Sequence, residues 1–177
     1  FSQYFLDITD ETDTGVWRPQ YSFFGAGATM ADFDQDGNID IFVPTPSGTL
    51  FKVFRNLGNE TFEDVAEEIG FGDESNESIQ VLVADYDNDG YEDIFVVNWF
   101  ETSNLYHNDG DNTFTKVNEF SGINTYFQSS RAASWLDYDR DGDLDLYMVN
   151  RLEEEFNILY RNNGDNTFSN VTEIAGV

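Results

Sequence analysis

Residues 85–97 read DYDNDGYEDIFVV, and this stretch decides the fold of the chain. Its first nine residues recur as DFDQDGNID at residues 32–40 and as DYDRDGDLD at residues 137–145. In every copy aspartate stands at places one, three, five and nine, and glycine stands at place six. The copies begin 53 and 52 residues apart (32 to 85 and 85 to 137). This spacing predicts a repeat architecture with one structural unit per copy.

Each copy places four aspartates within nine residues, and their carboxylates repel one another unless water separates them or a cation lies between them. The alternating carboxylates can converge while the glycine takes a sharp turn, as in calcium-binding loops. Oxygen ligands without cysteine or histidine favour a hard cation, so we predict calcium in each of the three loops. The alternative is a set of solvated acidic turns, since Asp-Gly pairs are ordinary turn formers. Fixed carboxylates at the outlying places favour the metal site.

The calcium loop that joins two helices ends with a bidentate glutamate, whereas this chain has Val43, Val96 and Met148 at the corresponding places. We therefore assign side-chain ligation to places one, three, five and nine, and a backbone carbonyl to place seven. The predicted ligands are Asp32, Asp34, Asp36, Asn38 and Asp40 in the first loop, Asp85, Asp87, Asp89, Tyr91 and Asp93 in the second, and Asp137, Asp139, Asp141, Asp143 and Asp145 in the third.

Each loop runs directly into apolar residues, IFV, IFVV or LYMV, which are typical of a strand. Further on, a second phrase recurs, with an N-x-G turn at residues 56–58, 108–110 and 162–164 followed by Thr-Phe. We predict an all-β fold of three tandem four-stranded antiparallel blades of β-propeller type. Antiparallel order places the metal loops and the N-x-G turns at one end of each sheet and the variable loops at the other.

The chain is predicted to form a single repeat array over residues 1–177, with blades at residues 27–70, 79–122 and 131–177. An N-terminal segment over residues 1–20 carries a surplus outer strand, because FLDITDET from Phe5 resembles an outer-strand phrase. Three blades are fewer than the roughly four to eight of a closed ring. The open edges must therefore be capped, closed or joined to a neighbour. Two copies pairing into a ring, a head-to-tail fibre and a longer parent protein are the three alternatives.

These motifs resemble the FG-GAP and VCBS repeats of integrin-α-like β-propellers. The likeness lies in the D-x-D-x-D-G-x-x-D loop and in the later phrases LYHNDGDNTF at residues 105–114 and LYRNNGDNTF at residues 159–168. It covers essentially the whole chain. The resemblance implies that each loop binds calcium between the first two strands of its blade, through the aspartates assigned above.

The formal net charge of −27 at pH 7 opposes binding to nucleic acid or to an anionic membrane. No stretch of the sequence approaches the length of a membrane span. Oxygen-ligand calcium sites of modest affinity need the millimolar calcium found outside cells, so we expect an extracellular or cell-surface protein. Acceptor triplets allow N-glycosylation at Asn59, Asn76 and Asn170 if the host performs it.

We expect a secreted, calcium-stabilised structural module that associates with copies of itself, head to tail or as paired half-propellers. The alternative is a lectin or adhesin that binds carbohydrate or protein through the variable loops. The aromatic residues of those loops, for which packing between blades is the competing explanation, are Trp99, Phe100, Tyr126 and Phe127.

We do not expect an enzyme. The chain has no cysteine, and His107 is its only histidine. His107 occupies the repeat position of Arg55 and Arg161, which predicts an exposed strand position.

Overall fold

The computed structural model describes residues 27–45, 50–71, 77–99, 101–125, 130–150 and 156–177. The strands within these ranges are β1 (Thr29–Ala31), β2 (Asp40–Val43), β3 (Lys52–Asn56), β4 (Phe62–Asp64), β5 (Ser78–Ala84), β6 (Asp93–Asn98), β7 (Asn104–Asn108), β8 (Phe114–Lys116), β9 (Ser130–Leu136), β10 (Asp145–Asn150), β11 (Ile158–Asn162) and β12 (Phe168–Asn170). Two single helical turns accompany them, α1 (Asn118–Ser121) and α2 (Thr172–Ala175).

The strands form three four-stranded antiparallel sheets, each built from four consecutive strands in sequence order. We name them blade 1 (β1 to β4), blade 2 (β5 to β8) and blade 3 (β9 to β12). The predicted all-β fold of three four-stranded antiparallel units is confirmed, and the sheets are consistent with propeller blades. The predicted surplus strand in residues 1–20 lies outside the described residues.

Each nine-residue loop connects the first two strands of its blade. The last residue before the loop pairs with the last residue of the loop, as in Ala31 with Asp40 and Ala84 with Asp93. Antiparallel pairing brings the N-x-G turn, which follows the third strand, to the same end of the sheet. The predicted shared end of metal loops and N-x-G turns is confirmed.

The hydrophobic core lies between blades rather than within them. One cluster joins blade 1 to blade 2 and includes Phe42 and Ile94, and a second joins blade 2 to blade 3 and includes Phe95 and Leu146. Successive residues of β6 therefore face opposite neighbours, and every residue of that strand is buried. A sheet of this kind buries both faces only when it has a blade on each side.

The outer strands are shorter than their sequence phrases indicate. Each has three residues, and in blades 2 and 3 a helical turn follows. In blade 2 the Leu105 N–H donates to the Asn118 side-chain oxygen at 3.0 Å, so a side chain completes the hydrogen bonding where the strand ends. Gly122 ends the turn with a φ of 77°.

After the outer strands of blades 1 and 2, a glycine lies against the outer strand of the next blade. A Cβ atom added at Gly70 would lie 2.5 Å from the Phe114 carbonyl oxygen, and one added at Gly122 would lie 2.5 Å from that of Phe168. These positions therefore accept only glycine without movement of the neighbouring backbone.

Within the described ranges, no helix has both the length and the apolar character needed to cross a membrane.

Candidate metal centres

The three loops share one backbone conformation, with left-handed residues at places four and six. The glycines at place six have φ values of 89°, 95° and 99°. Place four is left-handed although it carries a side chain, and its residues are Gln35, Asn88 and Arg140. Two left-handed residues this close curl the chain, so backbone N–H groups point into the loop.

The first aspartate of each loop accepts hydrogen bonds from this curled backbone. In the first loop the Asp36 N–H donates to Asp32 Oδ1 at 3.1 Å, and the Gly37 N–H donates to Asp32 Oδ2 at 3.0 Å. The second loop repeats both bonds at 3.1 and 3.0 Å. In the third loop the donors are the N–H groups of Arg140 and Gly142. The first carboxylate is therefore fixed before any ion binds.

The ninth-place aspartates are Asp40, Asp93 and Asp145, and each is at most 1 % exposed. Their carboxylates bridge the metal loop and the third strand. In blade 1, Asp40 accepts from the Phe33 N–H at 3.2 Å and from the Asn56 N–H at 2.8 Å. Blades 2 and 3 repeat this pair of bonds. The same side chain that was predicted as a ligand thus also joins two parts of the sheet.

Burial makes ionisation of these carboxylates unfavourable. Desolvation raises the pKa of Asp40 from 3.8 to about 6, against the lowering effect of its two backbone hydrogen bonds. Desolvation also raises the pKa of Asp93 and Asp145. Nearby carboxylates of the same loops raise these pKa values further. A bound cation would favour the ionised form that the fold alone disfavours.

The structure brings several of the predicted ligands together in groups, and the members of each group lie close enough to share an ion. In each group the candidate ligand atoms lie within 4.8 Å of one another. The groups are Asp32, Asp34 and Asp36 in the first loop, Asp85, Asp87 and Asp89 in the second, and Asp137, Asp139 and Asp145 in the third, with a further group of Asp87, Asp93 and His107. Of the predicted side-chain ligands, Asp40 and Asp141 do not belong to these groups.

The donor sets fit calcium. Calcium takes oxygen ligands at about 2.3–2.6 Å, so two ligands on opposite sides of the ion are roughly 5 Å apart. Carboxylate oxygens within 4.8 Å of one another satisfy this spacing. When bound, the ion would neutralise carboxylates that otherwise repel one another, and in blades 2 and 3 it would hold the loop to the sheet through Asp93 and Asp145.

The side chains at place seven point to the N-x-G turn of their own blade. A Cβ atom added at Gly58 would lie 3.2 Å from the Asn38 side chain, and one added at Gly110 would lie 3.0 Å from the Tyr91 ring. In the third loop, Asp143 Oδ2 stands in the same relation to Gly164 at 3.1 Å. Ligation by the backbone carbonyls of these residues remains a prediction.

His107 is a site residue that the sequence did not predict. Its Nδ1 atom lies 3.3 Å from Asp87 Oδ2 and 3.2 Å from Asp93 Oδ1, and its side chain is 25 % exposed. The expected strand position is confirmed, because His107 lies in β7, but its side chain is half-buried rather than exposed. In blade 1 the equivalent Arg55 places Nε 3.3 Å from Asp34 Oδ2. The repeated basic residue before each N-x-G turn was the signal, because it lies in the third strand, next to the last residue of that strand, at the end of the sheet that carries the acidic loop.

The aromatic residue of the variable loops that the structure describes does not face solvent. Trp99 is 3 % exposed, and the Arg131 guanidinium lies over its ring at 3.9 Å. Packing between blades therefore explains Trp99. Phe100, Tyr126 and Phe127 lie outside the described residues.

Two of the three predicted glycosylation sites fall in described segments. Asn59 and Asn170 are exposed, and each side-chain oxygen accepts a hydrogen bond from the threonine two residues later. Asn76 lies outside the described residues. Glycan attachment stays a prediction at all three asparagines.

Comparison with known proteins agrees with this geometry. A family model described as an FG-GAP-like repeat matches residues 32–96 and 85–148, which together extend from the first metal loop to β10. Cartilage acidic protein 1 from Xenopus tropicalis is 27 % identical to the chain over 127 residues. That match covers 71 % of this chain and 20 % of the relative, so the chain spans about a fifth of the length of that protein. The chain belongs to the family of FG-GAP-like repeat proteins.

Proposed function

We propose that this chain is a secreted, non-enzymatic FG-GAP repeat module that calcium stabilises and that associates with copies of itself through its terminal blades. The observation that carries the calcium part is the burial of the ninth-place aspartates. Each lies among other carboxylates and has a raised pKa, so a divalent cation would relieve an unfavourable arrangement in every blade.

Calcium would stabilise the folded state and would not take part in a catalysed reaction. It would connect the loop carboxylates to the ninth-place aspartates, which already accept N–H groups at the end of the third strand. The first three strands of each blade would then be joined at one end. The extracellular space supplies the millimolar calcium that calcium sites of modest affinity need.

Thermal unfolding with calcium and with a chelator tests this proposal. At calcium concentrations about tenfold above the dissociation constant, each site adds roughly 1.4 kcal/mol to the free energy of unfolding. Three such sites add about 4 kcal/mol, which for a chain of this size raises the midpoint by roughly 10 °C. The control replaces the first-place aspartates together, as Asp32→Asn, Asp85→Asn and Asp137→Asn. A midpoint that calcium leaves unchanged in the unmodified chain contradicts the proposal.

The proposal of self-association rests on exposed apolar residues of blades 1 and 3, and Met30 of blade 1 is 66 % exposed. Tyr138 of blade 3 is 36 % exposed, whereas Phe33 and Tyr86 at the same place of their loops are 1 % exposed. Light scattering at increasing protein concentration, with calcium present, measures association. A chain that stays monomeric contradicts this part and leaves the calcium part standing.

A further inference from the structure

The middle blade contains a group of side chains whose chemistry differs from that of the acidic loops. Asp87, Asp93 and His107 each offer one ligand atom, and these atoms lie within 4.8 Å of one another. Among the groups of possible metal ligands in the described part of the chain, this group alone contains a nitrogen donor. His107 is also the only histidine of the sequence. The group therefore suits metal ions that prefer imidazole nitrogen, which calcium does not.

Two paired strands and the metal loop hold these three side chains together. Asp93 begins β6, and His107 lies in β7 directly before Asn108, whose N–H donates to Asp93 Oδ1 at 2.8 Å. Asp87 approaches the same nitrogen of His107 from the metal loop. Side chains that regular strands carry are placed more precisely than side chains on loops alone. The three ligand groups are therefore positioned before any ion binds.

The Nδ1 atom of His107 is buried between the two carboxylates. It lies 3.3 Å from Asp87 Oδ2 and 3.2 Å from Asp93 Oδ1, and the side chains of these aspartates are 4 % and 0 % exposed. Neither contact has the geometry of a hydrogen bond, so within the described residues Nδ1 has no hydrogen-bond partner. A buried polar atom without a partner is unfavourable. A cation bound by the nitrogen and the two carboxylates would satisfy all three groups.

The spacing of these atoms suits a small tetrahedral ion. Zinc binds histidine nitrogen and carboxylate oxygen at about 2.0–2.2 Å, so two ligands of a tetrahedral zinc ion are roughly 3.3 Å apart or slightly more. The distances of 3.3 and 3.2 Å from Nδ1 to the two carboxylate oxygens are close to this separation. The two carboxylates also balance the two positive charges of the ion. A water molecule would complete the tetrahedron.

The other two blades carry arginine at the place of His107. A guanidinium stays protonated and offers no free lone pair, so it cannot bind a metal ion. In blade 1, Arg55 Nε lies 3.3 Å from Asp34 Oδ2, which puts a permanent positive charge beside the carboxylate. In blade 3, Arg161 is exposed and donates to the Asn163 side-chain oxygen at 3.5 Å. The nitrogen ligand is therefore particular to blade 2.

We propose that the middle blade binds a divalent transition-metal ion of the zinc type through His107 Nδ1, Asp87 and Asp93, and that the residue at the place of His107 decides which blades do so. Nε2 carries the hydrogen when Nδ1 is the ligand, and it lies 3.9 Å from Asp89 Oδ2, whose charge favours that orientation of the ring. Asp87 also belongs to the acidic group of its loop, so zinc and calcium compete in blade 2. The zinc site does not depend on calcium binding in the other blades.

Zinc titration of the decalcified chain, free of any histidine tag, measures this site. Isothermal titration calorimetry should show one zinc ion of high affinity per chain. His107→Ala should weaken that affinity by roughly 100-fold or more, because even the loss of a side chain that only orients a ligand costs about 10–100-fold. His107→Arg is the matched variant and should also lose the site, since it introduces the residue that blades 1 and 3 carry. Circular dichroism and cooperative thermal unfolding check that both variants fold.

Arg161→His tests the same position in the opposite direction. Asp139 and Asp145 are the blade 3 counterparts of Asp87 and Asp93, and they belong to one group of possible ligands. The variant should therefore bind a second zinc ion per chain, a gain that misfolding cannot produce. A folded Arg161→His chain that still binds one zinc ion overturns the view that this position decides which blades take zinc.

Nuclear magnetic resonance identifies the ligand atom, because the chain has a single histidine. Zinc should change the Nδ1 resonance of His107 more than the Nε2 resonance, and the change should saturate at one equivalent. Zinc that leaves the imidazole resonances unchanged, or that binds His107→Ala equally well, lies on acidic loops only and overturns the proposal. A chain that binds no zinc also overturns it, and His107 is then a counter-ion as Arg55 is. Either result leaves the calcium proposal standing, because thermal unfolding with calcium tests that proposal separately.

Discussion

Replacing Asp40 by alanine separates the structural role of a ninth-place aspartate from its role as a calcium ligand. In calcium-free buffer the substitution removes the acceptor of two buried N–H groups, those of Phe33 and Asn56. A buried donor without a partner costs about 1–3 kcal/mol, so the two lost bonds cost roughly 2–6 kcal/mol.

The same substitution removes a charge that the folded state tolerates poorly. The pKa of Asp40 is raised from 3.8 to about 6, so the folded state binds more protons than the unfolded state between these values. The ionised Asp40 side chain therefore lowers the free energy of unfolding more as the pH rises, by about 3 kcal/mol at pH 8 but only about 2 kcal/mol at pH 5. We expect Asp40→Ala to be more destabilising at pH 5 than at pH 8, by about 1 kcal/mol.

Chemical denaturation in decalcified buffer at both pH values measures this difference. Asp36→Ala is the matched control, since Asp36 is an exposed predicted ligand of the same loop that accepts a hydrogen bond from Asn38. Its effect should be about 0.5 kcal/mol at either pH. Equal destabilisation by Asp40→Ala at the two pH values, or an effect of Asp36→Ala as large as that of Asp40→Ala, refutes the reasoning.

Three further predictions concern the blade contacts and the ion. Gly122→Ala should lower the free energy of unfolding by roughly 2 kcal/mol or more, because the new Cβ would lie 2.5 Å from the Phe168 carbonyl oxygen. Gly176→Ala in dilute protein should lower it only by the cost of the left-handed backbone conformation, about 1–2 kcal/mol. Asn162→Ala should cost roughly 2–4 kcal/mol, because it leaves the buried Tyr86 carbonyl without its 2.8 Å bond; denaturant titration checks all three variants. Calcium affinity, measured by titration calorimetry, should weaken as the pH falls from 8 to 5, because the ninth-place aspartates take up protons that compete with the ion.

Much of the fold follows from the sequence because its determinants are local and repeated. The nine-residue loop fixes its own turn through hydrogen bonds such as that from Gly37 to Asp32, five residues apart. The apolar residues after the second loop, such as Ile94 and Phe95, alternate between two cores, as successive residues of a strand do. Three copies of such a unit in tandem lead directly to three sheets.

The remaining features depend on contacts between distant residues. The hydrogen bond from Asn162 to Tyr86 spans 76 residues, and no local pattern indicates it. The position of His107 beside Asp93 follows from the pairing of β6 with β7 and not from the identity of its neighbours in sequence. The helical turns after the outer strands depend on whether a side chain such as Asn118 meets a strand N–H.

The placement of the core between sheets has a consequence for how stability depends on the number of sheets. Three sheets in a row share two apolar clusters, one for each junction. In a closed ring the number of junctions between sheets equals the number of sheets, so every sheet packs against a neighbour on both faces. An open row has one junction fewer than it has sheets. Adding sheets to an open row therefore raises the number of stabilising junctions per sheet, and ring closure supplies the missing junction.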